Sequence, residues 1–258
     1  MPPFLALDVG NTAVKVGVWD GHAWTHIVRF DSSPETPEVW AARLQEIAGA
    51  QTKKAGLASV VPAVAAGLAE GILQAWGVAP VVVSGTMAVP EARAPFHVAY
   101  TTPETLGADR VAAAAAAFAL YGHPQGRAVI ALDAGTAVTL DAVTADGAFL
   151  GGAILPGPAL LAQALSRGTA QLPEVGFSPP PDPIGRSTTD ALRSGLGYLA
   201  LDGLAGLLAR TTRALAPDGP PPLVVATGGW APTLAPLLAL DTVAPALVLD
   251  GVRLLSGF

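Results

Sequence analysis

The sequence predicts an α/β protein built twice from one unit, with a cleft between the two copies. Three observations predict it. Apolar runs of strand length alternate with longer helical stretches along the chain. The stretch "ALDVGNTAVKV" from Ala6 is nearly repeated as "ALDAGTAVTLD" from Ala131. A second matching turn then follows each copy: Asp20-Gly21 falls on Asp146-Gly147 with a one-residue gap. Leu7, Asp8 and Gly10 overlay Leu132, Asp133 and Gly135. Asp-x-Gly alone is a common turn, but the shared register argues for internal duplication.

The elements follow in order. Residues 4–9 and 13–19 read as strands joined by a Gly-Asn turn, and 23–30 as a third strand after Asp20-Gly21. Residues 37–48 read as a helix with Thr36 as N-cap. A short buried strand at 55–60, a helix at 63–76 and a strand at 80–83 continue the alternation, which favours parallel pairing after the opening hairpins. The run at 111–120 is almost wholly small and apolar, so it reads as a helix buried on most sides. The second half replays the first, with strands at 128–133 and 138–143, a further strand ending at Ile154, and a helix at 158–165. Residues 187–214 suggest one long helix or two, with Gly195, Gly197 and Gly203 allowing close packing. A strand at 223–226, then "TGG" and another helix, close the chain. "GFSPPPDPIG" at 176–185 is the clearest loop, an extended surface excursion whose prolines cannot donate to a sheet. Two domains are expected, at 1–110 and 111–258.

Composition excludes several functions. Of 258 residues, 51% are hydrophobic and 13% charged, which allows a large core and leaves little room for disordered tails. The net charge of -6 argues against a nucleic-acid binder. With no cysteine, disulfides and thiolate metal sites are excluded. The histidines His22, His26, His97 and His123 lack metal-ligand spacing, which argues against zinc hydrolysis. The chain enters a strand at Phe4 with no basic or cleavable leader, and its apolar runs are short or broken by Gly and Pro. A soluble cytoplasmic protein with no membrane partner is expected.

The repeated hairpins suggest chemistry. Gly at a hairpin tip lets backbone N–H groups approach an anion, and Asp at a strand end can hold a metal ion that bridges phosphate oxygens. Thr12 and Thr136 add hydroxyls. Two such loops facing each other would cradle a nucleotide polyphosphate from both sides. Lys15 either reaches that phosphate or is a solvated surface charge. No Gly-x-x-x-x-Gly-Lys-Thr loop occurs, so this is not a P-loop protein.

A third feature is "LGADRVAAAAAAFAL" from Leu106. Asp109 reads either as the N-cap of the apolar helix or as a carboxylate able to accept a proton from a hydroxyl nucleophile. Arg110 would put a cation in the first helical turn, against the macrodipole, which makes sense if an anion docks there. The opposing reading pairs Arg110 with a nearby carboxylate.

Taken in order, "DVGNT", "ASVVP", "YTTPETLGADR", "DAGTAVTLD", "GGAILPG" and "TAQLP" resemble the type III pantothenate kinases over nearly the whole chain. That family belongs to the acetate and sugar kinase, Hsp70 and actin superfamily. The resemblance therefore implies two ribonuclease-H-like domains of the actin-like ATPase kind around a nucleotide cleft, the fold a duplication of this sort would leave behind. It implies ATP and pantothenate as substrates, magnesium with ATP, a monovalent cation (potassium or ammonium), and a homodimer. By the same resemblance Asp8, Val9, Gly10, Asn11, Thr12, Ala13, Val14 and Lys15 form the first ATP loop, with Asp8 near magnesium. Thr136 contacts ATP from the second loop, and Asp133 binds the monovalent cation. Asp109 is the general base. Tyr100, Gly107, Ala108, Asp109 and Arg110 hold pantothenate, and Thr188 reaches the partner subunit's site. Val138 stands where many relatives carry a polar residue, and 179–183 is unusually rich in proline. Two other functions stay open at this point: a non-catalytic regulatory accessory protein of the same fold, and a nucleotide or polyphosphate hydrolase.

Overall fold

The computed structural model describes residues 3–89, 94–178 and 182–258. Residues 179–181 of the proline-rich segment lie outside the described residues, as do 90–93. The chain forms two sheets. In the first, β1 (Phe4–Val9), β2 (Ala13–Trp19) and β3 (Trp24–Asp31) form an antiparallel meander. β4 (Lys54–Ser59) joins β1 in parallel, and β5 (Val81–Val82) joins β4, giving the order β3-β2-β1-β4-β5. Between them lie α1 (Pro37–Ala48), entered through Thr36 with Pro37 at its first position, and α2 (Pro62–Trp76).

The chain then passes through β6 (His97–Val98) and α3 (Ala108–Ala117) into the second sheet. β7 (Val129–Ala134), β8 (Ala137–Val143) and β9 (Ala148–Pro156) repeat the meander. After α4 (Pro158–Arg167) and α5 (Thr188–Leu215), β10 (Leu223–Thr227) adds in parallel to β7. The short α6 (Ala231–Leu234), β11 (Thr242–Val243) and α7 (Leu247–Leu255) complete the chain. The second order is β11-β10-β7-β8-β9-β6. Read from the meander edge, 3-2-1-4-5 and 9-8-7-10-11 are the same topology. The duplication seen in eleven-residue fragments therefore extends through both sheets. β6, although it precedes residue 110, pairs with β9 at the edge of the second sheet.

Strand periodicity explains which groups meet. Successive side chains on a strand point to opposite faces. On β1, Leu5, Leu7 and Val9 pack outward on Trp40, Leu44, Leu68 and Ile72 of α1 and α2. Phe4 and Ala6 face the other way, into a central core shared with α3, α7 and Val129 and Ala131 of β7. Ile130, Leu132 and Ala134 face outward again, onto Leu204 and Leu208 of α5. Asp8 continues the inward set of β1 and Asp133 the inward set of β7, so alternation alone aims both carboxylates at the space between the sheets.

That space is held open by two helices. The alanines of α3 are buried throughout, and Gly251 of α7 crosses them so closely that a Cβ there would lie 1.9 Å from the Ala112 carbonyl oxygen. Small side chains let the helix backbones touch; Ala→Leu in α3 would overpack this crossing by about 1–3 kcal/mol. α5 is one continuous helix of 28 residues, started by Ser187, whose hydroxyl accepts the Asp190 N–H at 3.1 Å. The close packing expected at Gly195 and Gly203 is not found: a Cβ at either would meet nothing within 4 Å. Among the described residues, no helix is long and apolar enough to cross a membrane.

Candidate active site

The β1–β2 and β7–β8 hairpins meet tip to tip. Thr12 Oγ1 and Thr136 Oγ1 lie 2.7 Å apart. Each tip closes with a bond from its glycine, Gly10 N–H to the Ala13 carbonyl and, in a tip one residue shorter, Gly135 N–H to the Ala137 carbonyl, both 3.0 Å. Neither glycine has a positive φ, and an added Cβ would meet its nearest atom at 3.5 Å for Gly10 and 3.6 Å for Gly135. Neither chain conformation nor packing within the protein demands glycine here. What a side chain would occupy is the space in front of the tips.

Behind the tips lies a cavity of about 680 Å³. The first hairpin contributes Asp8, Gly10, Asn11, Thr12, Ala13 and Lys15; the second contributes Asp133, Thr136 and Thr139; α3 contributes Asp109. Val9 and Val14, expected in the same ATP loop, point outward into the first core and line nothing. The third wall was missed from sequence. It is the turn Gly228-Gly229 after β10. Gly228 has φ +90°, and a Cβ there would lie 2.5 Å from Asp133 Oδ1 and from the Ala134 carbonyl. Here glycine is required by the fold, and the strand–Thr-Gly-Gly–helix pattern was its signal.

The charges are unevenly placed. Burial pushes the Asp8 carboxyl up from 3.8 to about 7; Lys15 opposes this, while Asp133 and Asp109 add to it. Burial raises Asp133 to about 6, again against Lys15 and with Asp109 and Asp141. Asp109 is also raised by burial, opposed by the Arg110 N–H that it accepts at 2.8 Å. Lys15 therefore faces the cavity among carboxylates, and the surface-charge reading fails. Arg29, directly across from Lys15 on β3, lines the same cavity and was also missed. Two cations at paired strand positions were the available sign.

The start of α3 differs from expectation in two ways. Gly107, not Asp109, is the N-cap; Asp109 lies inside the first turn and accepts the Arg110 N–H from there. Asp109 sits one residue into the helix, and a Cβ on Gly107 would lie 2.6 Å from its Oδ1, so the missing side chain makes room for the carboxylate. Arg110 is not an unpaired cation. It is buried against Asp141 of β8, with Nη2 2.5 Å from Oδ1 and Nε 3.0 Å and 3.2 Å from Oδ1 and Oδ2. The reading that pairs Arg110 with a carboxylate holds, and the partner, 31 positions away, becomes visible only once β8 is in register. Tyr100 lies beside this pair, its ring 6.0 Å from the Arg110 Cζ. Tyr100, Gly107, Ala108 and Arg110 thus cluster around Asp109 without themselves lining the cavity. Thr188, exposed at the start of α5, is not brought to this cavity within the chain.

A cavity with two backbone-donor turns, two cations and three inward carboxylates can hold a polyphosphate, a cation and a proton acceptor together. The family model for type III pantothenate kinase matches residues 4–211. The type III pantothenate kinase 1 of Symbiobacterium thermophilum is 38% identical over 97% of this chain and 95% of its own length. The type III pantothenate kinase of Moorella thermoacetica is 34% identical, with 97% of each chain covered. Among solved structures, a Campylobacter jejuni protein assigned to the Baf family of transcriptional activators aligns at TM-score 0.59 and 19% identity, over 97% of this chain and 96% of that one. A ROK family glucokinase from Streptomyces griseus, solved with glucose and AMPPNP, aligns at TM-score 0.51 and 15% identity over 98% and 97%. At those identities the structural likeness is one of fold, the duplicated two-sheet architecture. The sequence likeness reaches further: the chain belongs to the type III pantothenate kinase family.

Proposed function

We propose that the protein transfers the γ-phosphoryl group of ATP to the primary hydroxyl of pantothenate, the first step toward coenzyme A. The observation that carries this reading is the meeting of two duplicated hairpins over one cavity that also contains Asp109. Their backbone donors, with Lys15, hold the triphosphate. Asp109, kept basic by burial, takes the hydroxyl proton as the phosphoryl group moves. Positioning and charge neutralisation supply most of the rest.

Asp8 and Asp133 fit cation sites of a particular kind. Burial raises both carboxyls, Asp133 adds to the rise at Asp8, and Asp109 adds to both, so a cation between carboxylate and phosphate relieves each of them. Among the described residues no group of three acidic, histidine or cysteine side chains gathers to cage a metal. This suits magnesium that arrives with ATP and keeps water and phosphate as ligands, near Asp8. It also suits a monovalent cation, potassium or ammonium, at Asp133. Bound magnesium would neutralise the triphosphate charge.

A homodimer is part of this reading. Thr188 stands exposed at the start of α5, and Ile184 just before that helix and Leu199 within it are 72% and 61% exposed. A partner packed against this helix would receive Thr188 near its pantothenate, with Tyr100 and Arg110. Sedimentation at micromolar protein should give twice the mass of one chain; a monomer at every concentration counts against it.

The decisive assay is ADP release with and without pantothenate. Release that requires pantothenate, with the phosphorylated product seen by mass spectrometry, is expected. Release independent of pantothenate would favour the hydrolase reading, and no release would favour a non-catalytic regulator.

A further inference from the structure

The Arg110–Asp141 pair is buried and lies just outside the cavity. Thr139, on the cavity wall, lies two residues before Asp141 on the same face of β8 and helps to hold its carboxyl ionised. Asp141 takes two of the three guanidinium nitrogens of Arg110. Tyr100 flanks the guanidinium and is itself held in place: its ring packs edge-on against Phe149 at 6.0 Å. Gly151, at φ +103°, leaves the room, since a Cβ there would come within 2.8 Å of the Tyr100 ring. A built chain of contacts therefore runs from the cavity wall to the helix turn that carries Asp109.

The other half of the molecule shows that the scaffold does not need such a pair. Asp141 opposes Ala131, two residues before Asp133. The equivalent position is Gly17, which opposes Ala6, two residues before Asp8. There α7 and β3 fill the space with apolar groups: a Cβ on Gly17 would lie 2.9 Å from Leu249 Cδ1 and 2.8 Å from the Trp24 ring. One half closes this position with hydrocarbon. The half that meets the start of α3 closes it with charge.

We propose that Asp141 is a positioning residue that withholds the Arg110 guanidinium from the neighbouring Asp109 carboxylate, so that Asp109 stays free to accept a proton and Arg110 stays aimed at the substrate. Arg110 directly follows Asp109, and its charge already acts on that carboxylate. A guanidinium released from Asp141 keeps no fixed counter-charge, and its charge, free to move toward Asp109, would lower the basicity of the oxygens that must take the proton. This inference rests on the reading of Asp109 as the base.

The test is steady-state kinetics and thermal melts on three variants. Asp109→Asn tests the underlying reading: full activity in a folded variant removes the base, whatever Asp141 does. Asp141→Asn should lower kcat at saturating substrates by more than about tenfold, within the range a general base contributes. Adding Arg110→Gln to Asp141→Asn removes the intruding charge and leaves an uncharged, hydrogen-bonding pair. kcat should then recover to within about tenfold of wild type, while KM for pantothenate rises by about tenfold or more through loss of the Arg110 contact. A purely structural role predicts the reverse, a lower melt in both variants and no recovery of kcat. Should Asp141→Asn leave a buried, uncompensated arginine and not fold, the double variant decides alone: kcat below about a hundredth of wild type, on the same general-base scale, overturns the proposal. Wild-type kcat in folded Asp141→Asn overturns it too.

Discussion

The two halves of this protein share a backbone and differ in charge. At matched register, Asp8 faces Lys15 and Lys15 faces Arg29, whereas Asp133 faces Thr139 and Thr139 faces Ile154. One jaw is thus an acid backed by two cations, and the other an acid backed by a hydroxyl and a hydrocarbon. Two residues further along the meander the difference reverses, with Gly17 in the first half and the ion-paired Asp141 in the second. The duplication keeps an acid at the end of each inner strand and divides the remaining work. In the proposed function the first half holds phosphate, and the second holds the monovalent cation and fixes the helix that carries Asp109.

The largest effect should come from the residue that has no counterpart in the repeat. Asp109→Asn should lower kcat by about 10²–10⁴-fold. ATP binding, followed by titration calorimetry, should be unchanged and the fold kept, because asparagine retains an oxygen to accept the Arg110 N–H. Near-wild-type turnover in a folded variant would remove Asp109 as the base and leave the two hairpins to carry catalysis by positioning and charge alone.

The division of labour can be broken next at Asp133. If the second jaw holds a monovalent cation, turnover in potassium should exceed that in a bulky tetraalkylammonium salt by more than about tenfold, because a carboxylate at the phosphate loop repels phosphate without a cation between them. Asp133→Asn should shrink that ratio toward one. Equal rates in both salts would leave the two acids without distinct roles.

The first jaw is tested at its two cations, which should differ. Lys15 stands among buried carboxylates, and Lys15→Ala should raise KM for ATP by about tenfold or more, the scale of a charge-assisted contact. Arg29 is exposed at the cavity rim. Arg29→Ala should raise it only about threefold, and that effect should vanish in high salt. A larger effect at Arg29 than at Lys15 would move the triphosphate outward along β3.

Much of this was legible in the chain. Both hairpins, the parallel strands that follow them and the buried alanine helix can be read from alternation, turn residues and the repeat. Asp8, Asp133 and Asp109 stand where a period of two and a helix start put them. What escaped were facts of register and approach. Arg110 meets Asp141 only because β8 lies under the start of α3, and Arg29 becomes a site residue only as the cross-strand neighbour of Lys15. Of the two readings of Asp109, the N-cap fails, because Gly107 takes that place and the room Gly107 leaves is filled by the Asp109 carboxylate. Gly195 and Gly203 suggested packing that this chain does not make. A glycine in a helix does not say whether its neighbour belongs to the same chain.

The smallest effect is on stability, and it compares the two matched acids directly. Both are raised above their unfolded value near 3.8, Asp8 to about 7 and Asp133 to about 6, first of all by burial. In that window the native protein holds protons that the unfolded chain has already released. The slope of stability with pH is therefore negative: the contribution is present below about pH 4 and is lost as pH rises through the folded value. For the ligand-free protein, Asp8→Asn should raise Tm by a few degrees at pH 8 and by nothing at pH 4, the gain growing up to about pH 7. Asp133→Asn should show the same pattern ending about one pH unit lower, near pH 6. Cations and ATP should abolish both gains, because they stabilise the ionised acids that the variants lack. Melts from pH 4 to 8 on the three proteins measure this. Gains that are flat with pH would mean that the two carboxylates are hydrated rather than buried in the cavity, and the contrast between the jaws would then rest on Lys15 alone.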